Sequence, residues 1–337
     1  MSPELKANPE IRYFHAIEST LPQLRASESS VEVPARAIEL ANGALQELFP
    51  NLFGNIIPVL KAADLIVAPD SVVLDWQHKT GIANTHPKMF ELKRKHFPDG
   101  GEISFSEKES QPMIQTLPLD GHPIVYPESD FLIANRAVIE AGTARSLIHE
   151  TFHRIAVLKE PTPITGADDP LLITAFSTER LMRKAAEGAG LRDLARIQRN
   201  FTRDLFNFAV SSDTYTLVTG ARIMVMTRDG ADLKVLTESG YDLNEGIAER
   251  LTNLCVPYLV DYLKNNYGED IAKRIANFFQ QMYTSGLSYR YGNTVAGLAD
   301  YLVRLRLASP EDVIVASSEN RIPVLHSGRF PKAEYSL

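Results

Sequence analysis

The spacing of apolar positions is helical, then strand-like, then mostly helical again. Between Pro34 and Leu48, residues Ala37, Ile38, Ala41, Leu45 and Leu48 recur every three or four positions, the period of one helix face. The polar run Ser27–Ser30 precedes this segment, and Pro34 suits a first helical turn. Residues 1–60 are therefore expected to be a mainly helical N-terminal extension. From Leu60 to Tyr126 the apolar runs shorten to Leu65–Val67, Val72–Leu74, Glu102–Phe105 and Pro123–Tyr126. Pro69-Asp70, Pro98-Asp-Gly-Gly101 and Asp120-Gly-His-Pro123 punctuate them. That pattern predicts a small twisted sheet. One long helix, or two in sequence, is expected over Phe131–Lys159, ended by Pro161-Thr-Pro163.

Two more helices follow in the prediction, Ser177–Gly188 and Leu191–Ala209. A hairpin comes next, with Arg222–Thr227 and Asp232–Leu236 flanking the turn at 228–231. Helices are then expected over Asp242–Asn265, Glu269–Ser285 and Val295–Arg306, the first kinked or split at Pro257. From Ile314 onward little periodicity remains. The order gives an α+β chain in three parts: residues 1–60, a sheet with its long helix over 61–160, and a mainly helical part over 161–337. Neither an internal repeat nor a low-complexity linker interrupts it.

Composition narrows the function. The chain has 337 residues, 44% hydrophobic and 23% charged, the profile of an ordinary globular protein. Its net charge of −7, without a long basic run, argues against a nucleic-acid surface. No stretch approaches the roughly 20 apolar residues of a membrane span. The N-terminus lacks the charged-then-apolar order of a signal peptide, so the cytoplasm is the default expectation, with export by a signal-less route compatible. A single cysteine, Cys255, excludes an intrachain disulfide and a cysteine-based zinc knuckle; it is most simply a small buried hydrophobe.

The chemistry concentrates in His149-Glu150-Thr151-Phe152-His153, an H-E-x-x-H sequence inside the long predicted helix. Histidines four apart on a helix lie one turn above each other, so both imidazoles can aim at one zinc ion. Glu150 falls beside that point, where a carboxylate can take a proton from a water on the metal. The segment resembles the zincin family of zinc peptidases. That resemblance implies a zincin-like fold, a zinc cofactor and a peptide or protein substrate. It also implies that Ile124-Val-Tyr126, the strand before the helix, is an edge strand that pairs with extended substrate; an ordinary sheet strand is the other reading.

Catalytic zinc usually takes three protein ligands. The metzincin continuation fails, because Ala156 and Lys159 stand where that family has Gly and a third His. The remaining resemblance is to gluzincins, in which a later helix supplies a Glu ligand, often after Asn, and an acid four residues on orients a ligand histidine. Asn244-Glu245 and Glu249 resemble that pattern, with Glu where Asp is commoner. Glu245 would be the third ligand and Glu249 the orienting acid. Asp242-x-x-Glu245 also resembles a capping box, and Glu179 is the rival ligand. Zincins often stabilise the oxyanion with Tyr, His or Arg; Tyr241, Tyr289 and Tyr291 are candidates here, with His326 a more remote one. His15, His78, His86, His96 and His122 have no ligand-like spacing.

The expected function is a zinc metallopeptidase with Glu150 as general base. The alternatives are a non-catalytic protein-binding module on a zincin-like fold and a narrowly specific, effector- or toxin-like protease.

Overall fold

The computed structural model describes residues 21–80, 115–116, 123–131, 135–156, 161–166, 168–178, 213–229, 232–284 and 309–322. The chain is mixed helix and sheet. It divides into two compact units. One comprises Thr20–Ile155 with Ile247–Gly292, the other Met1–Ser19, Ala156–Gly246 and Asn293–Leu337.

In the unit built on Thr20–Ile155, helix α1 (Ala35–Leu48) forms where the period-3.6 pattern predicts, with Ala37, Ile38, Ala41, Ala44 and Leu45 buried. Strand β1 (Leu65–Ala68) is buried along its whole length. The Val72–Leu74 run, expected as a strand, lies instead in helix α2 (Asp70–Thr80). Three consecutive apolar residues fit either element, and the carbonyl of Pro69 already accepts from the amides of Val72 and Val73. A three-stranded sheet follows from β1, β2 (Gln115–Thr116) and β3 (Ile124–Pro127), in the order β1-β3-β2. β1 and β3 are parallel, with Leu65 opposite Ile124 and Val67 opposite Tyr126, whereas β2 runs antiparallel to β3.

This order corrects the edge-strand expectation. Ile124 and Val125 have strand partners on both sides, so β3 is the central strand and cannot accept an added strand there.

Helix α3 (Arg136–Arg154) carries the H-E-x-x-H sequence. Asn135 caps it, its side-chain oxygen accepting from the amides of Ala137 and Val138 at 3.1 and 3.4 Å. Its middle is buried almost all round: Ala141, Ala144, Leu147 and Ile148 face the core, but so do Glu140, Arg145, His149 and Glu150. A helix so enclosed needs partners for every charge it carries. It packs against α1, with Phe152 edge-on to Phe49 at 6.0 Å between ring centres.

Helix α4 (Tyr241–Tyr267) starts in the other unit and continues here from Ile247. Pro257 does not split it. Helix α5 (Glu269–Thr284) follows after Gly268, whose φ of +90° suits the turn between them.

The second unit is built on a four-stranded antiparallel sheet, β4 (Thr162–Pro163), β5 (Thr214–Thr219), β6 (Arg222–Asp229) and β7 (Asp232–Ser239), in sequence order. The predicted hairpin is β6–β7, with a bulge between Val225 and Met226. A helical segment at 170–178, capped by Asp169, lays Leu172 and Ala175 on Val218, Ile223 and Val225. Helix α6 (Pro310–Ser318) begins with a capping box between Ser309 and Asp312. It occupies part of the tail expected to lack regular structure. The helices expected over Leu191–Ala209 and Val295–Arg306, and the Glu102–Phe105 strand, lie outside the described residues.

Candidate metal centre

α3 presents His149 and His153 one turn apart, and the two Nε2 atoms converge to 3.1 Å. Two nitrogens bound to one tetrahedral zinc at the usual bond length would stand about 3.3 Å apart, so the pair is spaced for a shared ion. Glu245, in the first turns of α4, completes the group. One ligand atom from each of His149, His153 and Glu245 lies within 4.8 Å of the other two. It is the single cluster of three or more His, Cys, Asp or Glu side chains among the described residues that could hold a metal ion. Two neutral imidazoles and a carboxylate form a donor set suited to zinc.

The start of α4 is fixed by side chains of its own unit. Gly220, with φ +57°, opens the two-residue turn between β5 and β6. The amide of Ala221 donates to Asn244 Oδ1 at 3.2 Å, and that of Gly220 donates to Asn320 Oδ1. The left-handed backbone angle at Gly220 favours glycine, and a Cβ there would have to displace Asn244 Oδ1. Asn244, read from sequence as the companion of Glu245, thus ties the helix start to the sheet.

One turn beyond Glu245, Glu249 is almost fully buried. Its Oε2 lies 3.2 Å from His149 Nδ1, and its Oε1 accepts from the Arg145 guanidinium. Asn253 Nδ2 also donates to Oε1, at 3.3 Å. Burial opposes the charge on this carboxyl, but the Arg145 cation and the His149 contact outweigh it and hold its pKa down at about 2. A carboxylate 3.2 Å from Nδ1 favours the His149 tautomer that carries its proton there and leaves Nε2 to accept.

Glu150 is buried on α3. Tyr126, fully buried in β3 and tilted against Phe131, has its pKa pushed well above the usual value, first by burial and then by the negative charges of Glu150 and Asp130. Its hydroxyl has no hydrogen-bond partner among the described residues. At the far end of α3, Glu140 accepts from both Tyr262 and Tyr267 at 2.8 Å and pairs with Arg136.

The structure therefore brings together His149, His153 and Glu245, with Glu249 behind His149. Tyr241 is the first residue of α4. Glu179, Tyr289, Tyr291 and His326 lie outside the described residues. Arg145 was not singled out from sequence; the available signal was an arginine one turn before His149, on the same side of the helix. Cys255 is buried, and burial raises its thiol pKa to about 12, as expected of an inert packing residue. No helix among the described residues is long and apolar enough to cross a membrane. No family model, curated protein or solved structure matches the chain.

Proposed function

We propose that the protein is a zinc-dependent metallopeptidase of gluzincin type, acting on a peptide or protein substrate. The observation that carries this reading is the convergence of His149, His153 and Glu245 on one point, with Glu150 adjacent in the same helix. His149 and His153 would hold zinc through Nε2 and Glu245 through its carboxylate. Zinc bound there supplies Lewis acidity, which makes water a nucleophile near neutral pH and polarises a carbonyl.

The chain's own residues do the rest. Glu150 takes a proton from the attacking water and returns it to the leaving amine. Glu249 keeps His149 in the tautomer that leaves Nε2 available. Burial of α3 around Glu150 keeps bulk water from screening these charges.

The test is hydrolysis of a broad peptide library by wild type and Glu150→Gln, each assayed for bound zinc. Turnover by wild type, lost in a variant that retains zinc, supports the reading. Zinc-loaded wild type that cleaves nothing would point to a binding module instead. Loss of zinc from Glu150→Gln would contradict the role given to Glu150.

A further inference from the structure

Arg145 stands one turn before His149 on α3, so the two side chains leave the helix on the same side. The Arg145 side chain is almost fully buried, and its guanidinium meets Glu249 Oε1. The other carboxylate oxygen, Oε2, is the one facing His149 Nδ1. The guanidinium also lies 5.6 Å from the centre of the Phe279 ring on α5, within reach of a cation–π contact. Its Nε–H meets no acceptor among the described residues.

A buried guanidinium with one donor unsatisfied is costly for a merely structural pair, for which apolar residues of similar volume serve as well. Its placement is informative. Glu249 has two oxygens, and a carboxylate free to rotate could offer either oxygen, or neither, to the imidazole. Arg145 Nη2 donates to Oε1, and the same guanidinium lies against the Phe279 ring. Oε2 is then left at one position relative to His149. Asn253 reinforces the choice by donating to the same Oε1.

We infer that Arg145 is a positioning residue for the metal site: through Glu249 it fixes the ring orientation and the Nδ1–H tautomer of His149, so that Nε2 is presented before any metal arrives. Among the described residues, the Arg145 guanidinium meets Glu249 and the Phe279 ring. Its effect passes along the chain Phe279, Arg145, Glu249, His149, and all four residues belong to one compact unit. The inference rests on the proposed reading of His149 as a metal ligand. It predicts a site organised in the metal-free protein, because its supporting bonds do not involve the ion.

The experiment uses the full-length chain as wild type, Arg145→Lys, Arg145→Met and the apolar double variant Arg145→Met/Glu249→Leu. Histidine ring nitrogens are observed by nitrogen-15 NMR in metal-free protein, zinc affinity by competition with a chromophoric chelator, and folding by thermal melting. In wild type, His149 should show a single Nδ1–H form. Arg145→Lys keeps the charge but not the fork; it should fold and bind zinc about tenfold more weakly, the lower range for loss of an outer partner. If Arg145→Met alone is unstable, the double variant relieves the unpaired charge. It should melt near wild type yet lose the single His149 form and the zinc affinity together.

A purely structural pair predicts the opposite, with melting and zinc affinity recovering together in the double variant. Wild-type zinc affinity and an unchanged His149 signal in the folded Lys variant or the folded double variant would overturn the inference. Wild type that takes up no zinc, while Arg145→Met or the double variant alters the His149 signal, would instead overturn the metallopeptidase reading and leave the positioning role standing.

Discussion

Glu249→Gln should remove a pH-dependent part of the protein's stability. The glutamine keeps the shape of the side chain but removes the charge facing Arg145. Two routes give the magnitude. Removing one partner of a buried ion pair typically costs about 3–5 kcal/mol, because the other charge stays buried and unpaired. Independently, lowering the Glu249 pKa from the ordinary 4.5 to about 2 corresponds to ~3 kcal/mol of stabilisation of the folded state.

The sign follows from the direction of that shift. A carboxyl whose pKa is depressed on folding stabilises the chain fully above its unfolded pKa and loses that contribution as pH falls through the folded value. Wild type should therefore exceed Glu249→Gln by about 3 kcal/mol at pH 6, and the gap should close progressively between about pH 4.5 and pH 2. Urea unfolding at a series of pH values, with both proteins metal-free, measures it. A difference that stays constant with pH, or one below ~1 kcal/mol at pH 6, would refute the buried charge relay, since ~1 kcal/mol is what an exposed pair contributes.

Other outcomes follow from single groups. Tyr126→Phe removes a buried hydroxyl that has no partner among the described residues; it should leave stability unchanged or raise it by up to ~1 kcal/mol, and a lower melting temperature would show that the hydroxyl is bonded. Glu140→Gln weakens the acceptor shared by Tyr262 and Tyr267; a loss of roughly 1–3 kcal/mol in urea unfolding is expected, and an unchanged midpoint would contradict the network. Gly220→Ala meets both a left-handed backbone angle and the Asn244 side chain; it should destabilise by about 1–3 kcal/mol, with wild-type melting as the contrary result. Glu150→Gln should retain zinc while turnover falls by about 10²–10⁴, the usual contribution of a general base.

Much of the site was readable because its pieces are local. The four-residue spacing of His149 and His153 and the helix around them depend on a period that a single segment carries, whereas Glu245 and Glu249 came from the resemblance to gluzincins. What was not readable depends on distant partners. β3 was expected at an edge from the zincin resemblance alone, and nothing near Ile124 reveals that Leu65 lies on one side and Thr116 on the other. Val72–Leu74 looked like a strand because a three-residue apolar run has no period. The β5 strand, Thr214–Thr219, was missed although the hairpin following it was found; its threonines and tyrosine diluted the apolar signal.

Arg145 is the clearest case. A charge on a buried helix gains meaning only when Glu249 is placed against it from 104 residues away.

Zinc content of wild type beside Glu245→Ala and Glu179→Ala, each dialysed against a weak chelator, tests the central claim most directly. Wild type and Glu179→Ala are expected to retain one zinc per chain, and Glu245→Ala to lose it. Full zinc retention by Glu245→Ala would contradict the metal site formed by His149, His153 and Glu245.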